Sequence, residues 1–288
     1  MVIYAGQGDP RRSMTLLWRE QEEGERTAPG PRPELSVDLV VRTAIEIADA
    51  QGLQALSMRA VGERLGRTAM SLYTYVASKN ELIDLMYDAA FAPLADRLEQ
   101  DAAESTVKGL GWREQVHTWT ARLWYFYLEH PWTLEISQAR PVLGPNEYRL
   151  FESLATLFHG AGLEPRAVSN AYGSLLNLVR GMVRTAAEAR QAPVVTGVPE
   201  DEWWYARSGQ LEEIVEDFQE RFPVLTLLTE AGAFDNDDPD EPYLEQEAWE
   251  VLRFGLDSLL DGVQRRIDAT GKSLARAKTI METSHDDR

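Results

Sequence analysis

Residues 68–82 read TAMSLYTYVASKNEL, two tyrosines two apart with a single lysine, just after a glycine at 66. Thr68 can cap a helix running to about Val76. The run Ser78–Glu81 is a capping box opening another, because the serine and the glutamate can satisfy each other's orphan amides. Working upstream, Ser57 opens a short helix with Met58, Val61 and Leu65 on one face and Gly66 at its end. Before that, Ser36 caps a helix in which Val37, Val40, Val41, Ala44, Ile45 and Ala48 recur at helical spacing, and Gly52 ends it in the left-handed conformation. Two short helices joined by a tight turn containing glycine make a helix-turn-helix. In that motif the second helix lies in a major groove and the first crosses the backbone.

The residue types suit this task. Ala69 and Ser71 are small enough for a close approach to bases, and Thr68, Ser71 and Thr74 can donate to phosphates or base edges. Tyr73 and Tyr75 offer hydroxyls to phosphates and ring faces to thymine methyls. Lys79, with the free amides of its helix, can hold a phosphate. Arg59 falls where the preceding helix meets the backbone. Each has a plainer alternative. Tyr73 also fits a core aromatic, Arg59 a solvated surface charge, and Lys79 an ordinary residue of the capping box.

Net charge opposes this reading at first, since the chain carries −18. The acidity is local. Residues 200–250 hold 17 Asp and Glu against two Arg, leaving only −3 on the remainder, and Arg32–Asn80 comes to +1. A near-neutral head can approach phosphate while the acidic part faces away. The chain has no cysteine, which removes disulfides, thiolate metal sites and a cysteine nucleophile. It shows neither a signal-peptide core nor an apolar run long enough to span a bilayer, so a cytoplasmic protein with no membrane partner is expected.

The stretch VVRTAIEIADAQGLQALSMRAVGERLGRTAMSLYTYVASKNELIDLM resembles the DNA-binding domain of the TetR family of bacterial repressors. The resemblance runs over about fifty residues with hardly a gap. FGLDSLLDGV, near the end, is similar to the last helix of the tetracycline-repressor-like C-terminal domain. The resemblance implies an all-α homodimer on double-stranded operator DNA. Its helix-turn-helix head would be joined by a fourth helix to a larger helical ligand-binding and dimerisation domain. By position, Arg59, Thr68, Ala69, Ser71, Tyr73, Thr74, Tyr75 and Lys79 fall where family members contact DNA.

The expected organisation is a mostly flexible arm over 1–35, in which MTLLWRE (14–20) can form a helical turn or dock, a head over 36–91, a ligand-binding and dimerisation domain over 92–270, and a flexible tail over 271–288. Arg26 and Arg32 of the arm can enter a minor groove or neutralise phosphate. Helices are expected at about 112–130, 145–161, 165–190, 201–220, 222–231 and 244–268. Aromatics are dense: Trp112, Trp119, Trp124, Tyr125, Phe126, Tyr127 and Trp132 fall within 21 residues, and Phe151, Phe158, Tyr172, Trp203 and Trp204 follow. Pockets for small molecules are mostly apolar with a few polar groups. Trp124 and Phe158 with His117, Asn170, Asn177 and Arg180 are therefore the candidate ligand-binding residues for an unknown small-molecule effector. Core packing is the alternative for the aromatics. Leu252, Leu256, Leu259 and Val263 form an apolar stripe that packs into its own domain or, as the resemblance implies, into the homodimer interface. The four histidines show no i, i+4 pair, so neither a metal nor a cofactor is expected. The sequence also lacks G-x-S-x-G, H-E-x-x-H and a phosphate loop, which argues against an α-helical enzyme. The expected function is a repressor released from its operator by a small hydrophobic or aromatic molecule. A dimeric regulator without small-molecule response is the alternative.

Overall fold

Helix caps form where serines and threonines precede apolar periodicity. In the computed structural model, α2 (Val37–Gln51), α3 (Met58–Leu65), α4 (Ala69–Leu72) and α5 (Lys79–Ala90) open on Ser36, Ser57, Thr68 and Ser78. Each cap hydroxyl accepts from the backbone N–H three residues on, at 3.0–3.3 Å. The structure describes residues 3–19, 35–104, 109–235 and 242–286. Among them the chain is all-α, and the only bridge is an isolated one between Ile3 and Ile136.

Two local details differ from expectation. Glu81 does not close a capping box on Ser78, because its carboxylate accepts from Ala77 N–H at 2.5 Å, one residue further back. Gly52 has φ 76° and ψ 169°, an extended glycine conformation instead of a left-handed helical one.

α5 is the axis of the first part of the molecule. Leu82, Ile83, Leu85, Met86 and Tyr87 are buried in succession, so this helix is covered nearly all round. It packs against α2, against α1 (Pro10–Leu17), against α6 (Ala92–Ala103) and against α8 (Pro145–Gly160). Asp88 of α5 caps α8. Its carboxylate accepts from the Asn146 and Glu147 backbone N–H groups, both at 3.0 Å, and from Asn146 Nδ2 at 2.9 Å. Those amides have no partner within their own helix, so the contact satisfies orphan donors and sets a negative charge on the positive helix end. Burial nevertheless raises the Asp88 pKa, against the lowering by these hydrogen bonds.

α7 (Trp112–Glu129) brings Trp119, Leu123, Trp124, Phe126 and Tyr127 into the core. Phe126 stacks on Phe91, the residue between α5 and α6, with centroids 4.3 Å apart. A 3-10 turn, Pro131–Glu135, follows. The Asp49 carboxylate of α2 meets His130 Nδ1 at 2.7 Å and accepts from Trp132 Nε1 at 2.7 Å, tying the head to this turn.

The remaining helices are α9 (Pro165–Thr196), α10 (Glu200–Ile214), α11 (Phe218–Arg221), α12 (Pro223–Glu230) and α13 (Tyr243–Asp286). The chain divides into two compact units, one of residues 1–179 with 256–288 and one of 180–255. The expected boundary at 91 is not among these divisions, since α5 and Asp49 pack the head into the first unit. The second unit exposes much apolar surface, including Val194, Val195, Tyr205, Ile214, Val224, Leu227 and Phe254.

The ends of the chain also differ from the sequence reading. Residues 3–19, assigned to a flexible arm, are folded against the first unit, with Ala5 and Leu17 buried. Arg26 and Arg32 lie outside the described residues. α13 continues helical to Asp286, past the expected tail boundary at 271.

Candidate DNA-binding surface and effector cleft

The helix-turn-helix depends on two glycines. Gly66 ends α3 at φ 66°, in the left-handed region that a side chain disfavours. A Cβ on Gly62 would come within 2.8 Å of the Arg67 carbonyl, so α3 can approach the turn only because this residue has no side chain. Leu72 and Val76 are fully buried and anchor the reading element. That element is shorter than expected. α4 ends at Leu72, and Tyr73–Tyr75 form turns closed by the Tyr75 and Val76 amides on the Leu72 carbonyl.

The candidate DNA residues are all at least partly accessible. Thr68, Tyr73 and Thr74 are exposed, and Ala69, Ser71, Tyr75 and Lys79 are half-buried. Tyr73 keeps 44% exposure, which excludes the reading of it as a core aromatic. Thr74 Oγ1 donates to Ser71 O and Ser71 Oγ to Thr68 O, both at 2.7 Å, leaving the hydroxyl lone pairs outward. Lys79 Nζ donates to Leu53 O at 3.4 Å, a long bond that ties the lysine to the end of α2. Arg59 is exposed and pairs with Glu63 at 2.7 Å, and this carboxylate raises its pKa. Sequence reasoning missed Met70, 76% exposed in the middle of α4, and Arg67, also exposed. Their exposure depends on how α4 packs, which residue type alone does not show.

A cleft of about 690 Å³ opens between α6, α7 and α8. Leu98, Glu99, Asp101 and Ala102 line it from α6, and Gln115, Thr118 and Trp119 from α7. α8 contributes Tyr148, Phe151, Glu152, Ser153, Thr156 and Leu157, and Trp18 closes one side. The volume and the aromatic walls suit a small organic molecule. The polar groups are mostly committed. Trp119 Nε1 donates to Ser153 Oγ at 2.9 Å, and Arg149 holds Asp96 at 2.6 Å and Glu99 at 2.7 Å. Those carboxylates raise the Arg149 pKa, and Arg149 lowers that of Glu99 through the same bond.

None of the six candidate ligand residues lines this cleft. Phe158 is fully buried beside Trp112, and Trp124 is buried in the core of α7. His117 pairs with Asp257 at 3.0 Å. Asn170 and Asn177 are exposed on α9, and Asn177 Nδ2 donates to the Gly173 carbonyl at 2.7 Å. Arg180 is half-buried in the second unit. A one-dimensional aromatic count cannot say which faces of α7 and α8 turn toward empty space. Trp119 and Phe151 belonged to that count, whereas Trp18 lay in the segment read as an arm.

The apolar stripe of α13 is likewise placed by its burial. Leu252, Leu256 and Val263 are at most 4% exposed within the single chain, and Leu259 is half-buried. The three buried residues have no surface left to give a second copy.

Residues 107–267 match the family model described as tetracyclin repressor-like, C-terminal domain. The chain is 35% identical over 260 residues to the HTH-type transcriptional repressor DrrR1 of Streptomyces coeruleorubidus, covering 90% of this chain and 87% of the relative. It is 32% identical over 167 residues to an HTH-type transcriptional regulator of Saccharopolyspora erythraea, covering 58% of this chain and 66% of the relative. Among solved structures, the Streptomyces coelicolor TetR family protein ActR in complex with (S)-DNPA is similar at a TM-score of 0.56 and 27% identity, over 80% of this chain and 100% of that one. With a helix-turn-helix head in front of the matched C-terminal domain, the chain belongs to the TetR family of transcriptional repressors.

Proposed function

We propose that the protein is a homodimeric repressor whose recognition surface binds operator DNA and whose release is triggered by a small hydrophobic or aromatic molecule in the α6–α8 cleft. The cleft itself carries this reading: Trp18, Trp119, Tyr148 and Phe151 line a volume of about 690 Å³. ActR, at 27% identity, was solved with (S)-DNPA bound, which supports small-molecule response in this chain. Arg59 and Lys79 act on phosphates, Tyr73 and Tyr75 position the head, and Ala69, Met70, Ser71 and Thr74 face base edges. An effector shifts the population only if it binds the released state better than the DNA-bound one.

Tryptophan fluorescence tests the site. Titration with 1,8-dihydroxyanthraquinone should quench the wild type and release it from a duplex selected from a random pool. Phe151→Ala should weaken that binding about tenfold. Wild-type binding by Phe151→Ala, together with loss in Asn177→Ala, would place the ligand elsewhere.

A further inference from the structure

Residues 3–19 touch the rest of the first unit at four places. The backbone of Ile3 pairs beside the 3-10 turn, with Ile3 N donating to Glu135 O at 3.0 Å and Ser137 N to Ile3 O at 2.8 Å. Further along, the segment grips the opening turns of α5. Gly6 N donates to Asp84 Oδ2 at 3.0 Å, Asn80 Nδ2 donates to Gln7 Oε1 at 2.9 Å, and Arg12 pairs with Glu81 at 3.3 Å. Arg19 pairs with Asp38 in the first turn of α2. Finally, Trp18 Nε1 donates to Leu143 O at 3.0 Å, and its ring stands 5.9 Å from Tyr148. Leu143 is the non-glycine residue with positive φ, 62°, among the described residues, so the carbonyl that holds Trp18 sits on a strained turn.

The segment therefore joins the effector cleft to two helices of the head: α2, through Asp38, and α5, which follows the reading element in the chain. Its hold is light. Ala5 and Leu17 are its buried apolar side chains, and the buried Ser13 Oγ has no partner. Segments with few buried apolar contacts open locally without the rest of the fold.

We propose that residues 3–19 are a regulatory strap, with Trp18 as an effector-contacting residue and the docked strap as the DNA-released form. This rests on the reading of the cleft as the effector site. Trp18 walls the cleft only while the strap is docked, so an effector stacked there binds the docked state better. The docked strap ties the first turns of α2 and α5 to Ile136 and Leu143, holding the head in one pose. By linkage, the state that the effector favours is the one with weaker operator affinity.

The absence of native cysteine makes a clean lock available. Ile3 and Ile136 are bridge partners, and a disulfide needs a Cα spacing of about 4.4–6.8 Å. Oxidised Ile3→Cys/Ile136→Cys should bind the selected duplex at least tenfold more weakly than the same protein reduced, with no redox effect on the wild type. Equal affinity in the two forms, or tighter binding when oxidised, overturns the strap. If the double variant does not fold, a chain lacking residues 1–19 decides. It retains Arg26 and Arg32, and it should bind the duplex at least as tightly as wild type, whereas tenfold weaker binding overturns the proposal. Neither measurement uses an effector. If 1,8-dihydroxyanthraquinone fails to release even the wild type, the effector reading falls while the lock still decides the strap.

Discussion

Exposure sorts the recognition surface residue by residue. Leu72 and Val76 hold the element in the core, whereas Met70 and Tyr73 project from it. Lys79 is tethered by a long bond to Leu53 O, a contact that a phosphate can replace. Lys79→Ala should weaken binding to all duplexes alike and lower the salt slope by roughly one unit. Met70→Ala should instead change the preferred base at one position, because an apolar side chain against the major groove distinguishes the thymine methyl from the other bases. Selection of bound duplexes with each variant checks both. An altered consensus for Lys79→Ala, with an unchanged one for Met70→Ala, reverses the assignment.

The element that integrates the head with the rest is α5. Two of its carboxylates are buried beside polar partners, Asp84 facing Gly6 and Asp88 capping α8. Burial pushes the Asp84 pKa up to about 6; the Gly6 N–H opposes this and the Glu81 charge adds to it. Below pH 4 the folded and unfolded chains are both largely protonated at this site. Between about 4 and 6 the folded chain keeps a proton that the unfolded chain has lost, so stability falls as pH rises, and above 6 the full cost is present. A shift from 3.8 to about 6 corresponds to at most about 3 kcal/mol. Asp84→Asn removes the ionisation and keeps an acceptor for Gly6. Thermal melts should show the variant gaining on wild type from pH 4.5 to pH 8. A pH-independent difference would mean that Asp84 does not carry this term.

At the scale of the whole molecule, the proposed dimer needs a surface that meets a second copy. The buried Leu256 is a poor probe, because Leu256→Arg would place a charge in the chain's own core. Phe254 is 77% exposed on α13, within a unit whose other helices also expose large apolar side chains. Exposed apolar side chains become an interaction site where they adjoin, which makes Phe254 the probe of a dimer contact on this unit. Phe254→Asp should leave helical content unchanged and raise the dimer dissociation constant at least a hundredfold by sedimentation, with operator binding weakened in parallel. A variant that stays dimeric at micromolar concentration would exclude this face.

Cap residues, apolar periodicity and the turn at Gly66 are local signals, and they made the all-α fold and the helix-turn-helix legible from the sequence alone. Ser36, Ser57, Thr68 and Ser78 each satisfy an amide three residues away, a reach that needs no tertiary context. The starts of the later helices were legible to within a residue from apolar periodicity, whereas their ends at Thr196, Ile214 and Asp286 depart from the expected 190, 220 and 268. Tertiary structure decided the rest. Trp18 and Trp119 lie far in sequence from each other and from the Tyr148–Phe151 pair, and only the packing of α6, α7 and α8 leaves space between them. Periodicity puts Leu256 and Phe254 on opposite faces of one helix, but only the fold shows that the Leu256 face is covered within the single chain. The first 19 residues carry the charge and glycine of a flexible arm. Their described part folds because distant groups on α5 and near Leu143 supply the hydrogen-bond partners that its own neighbours do not.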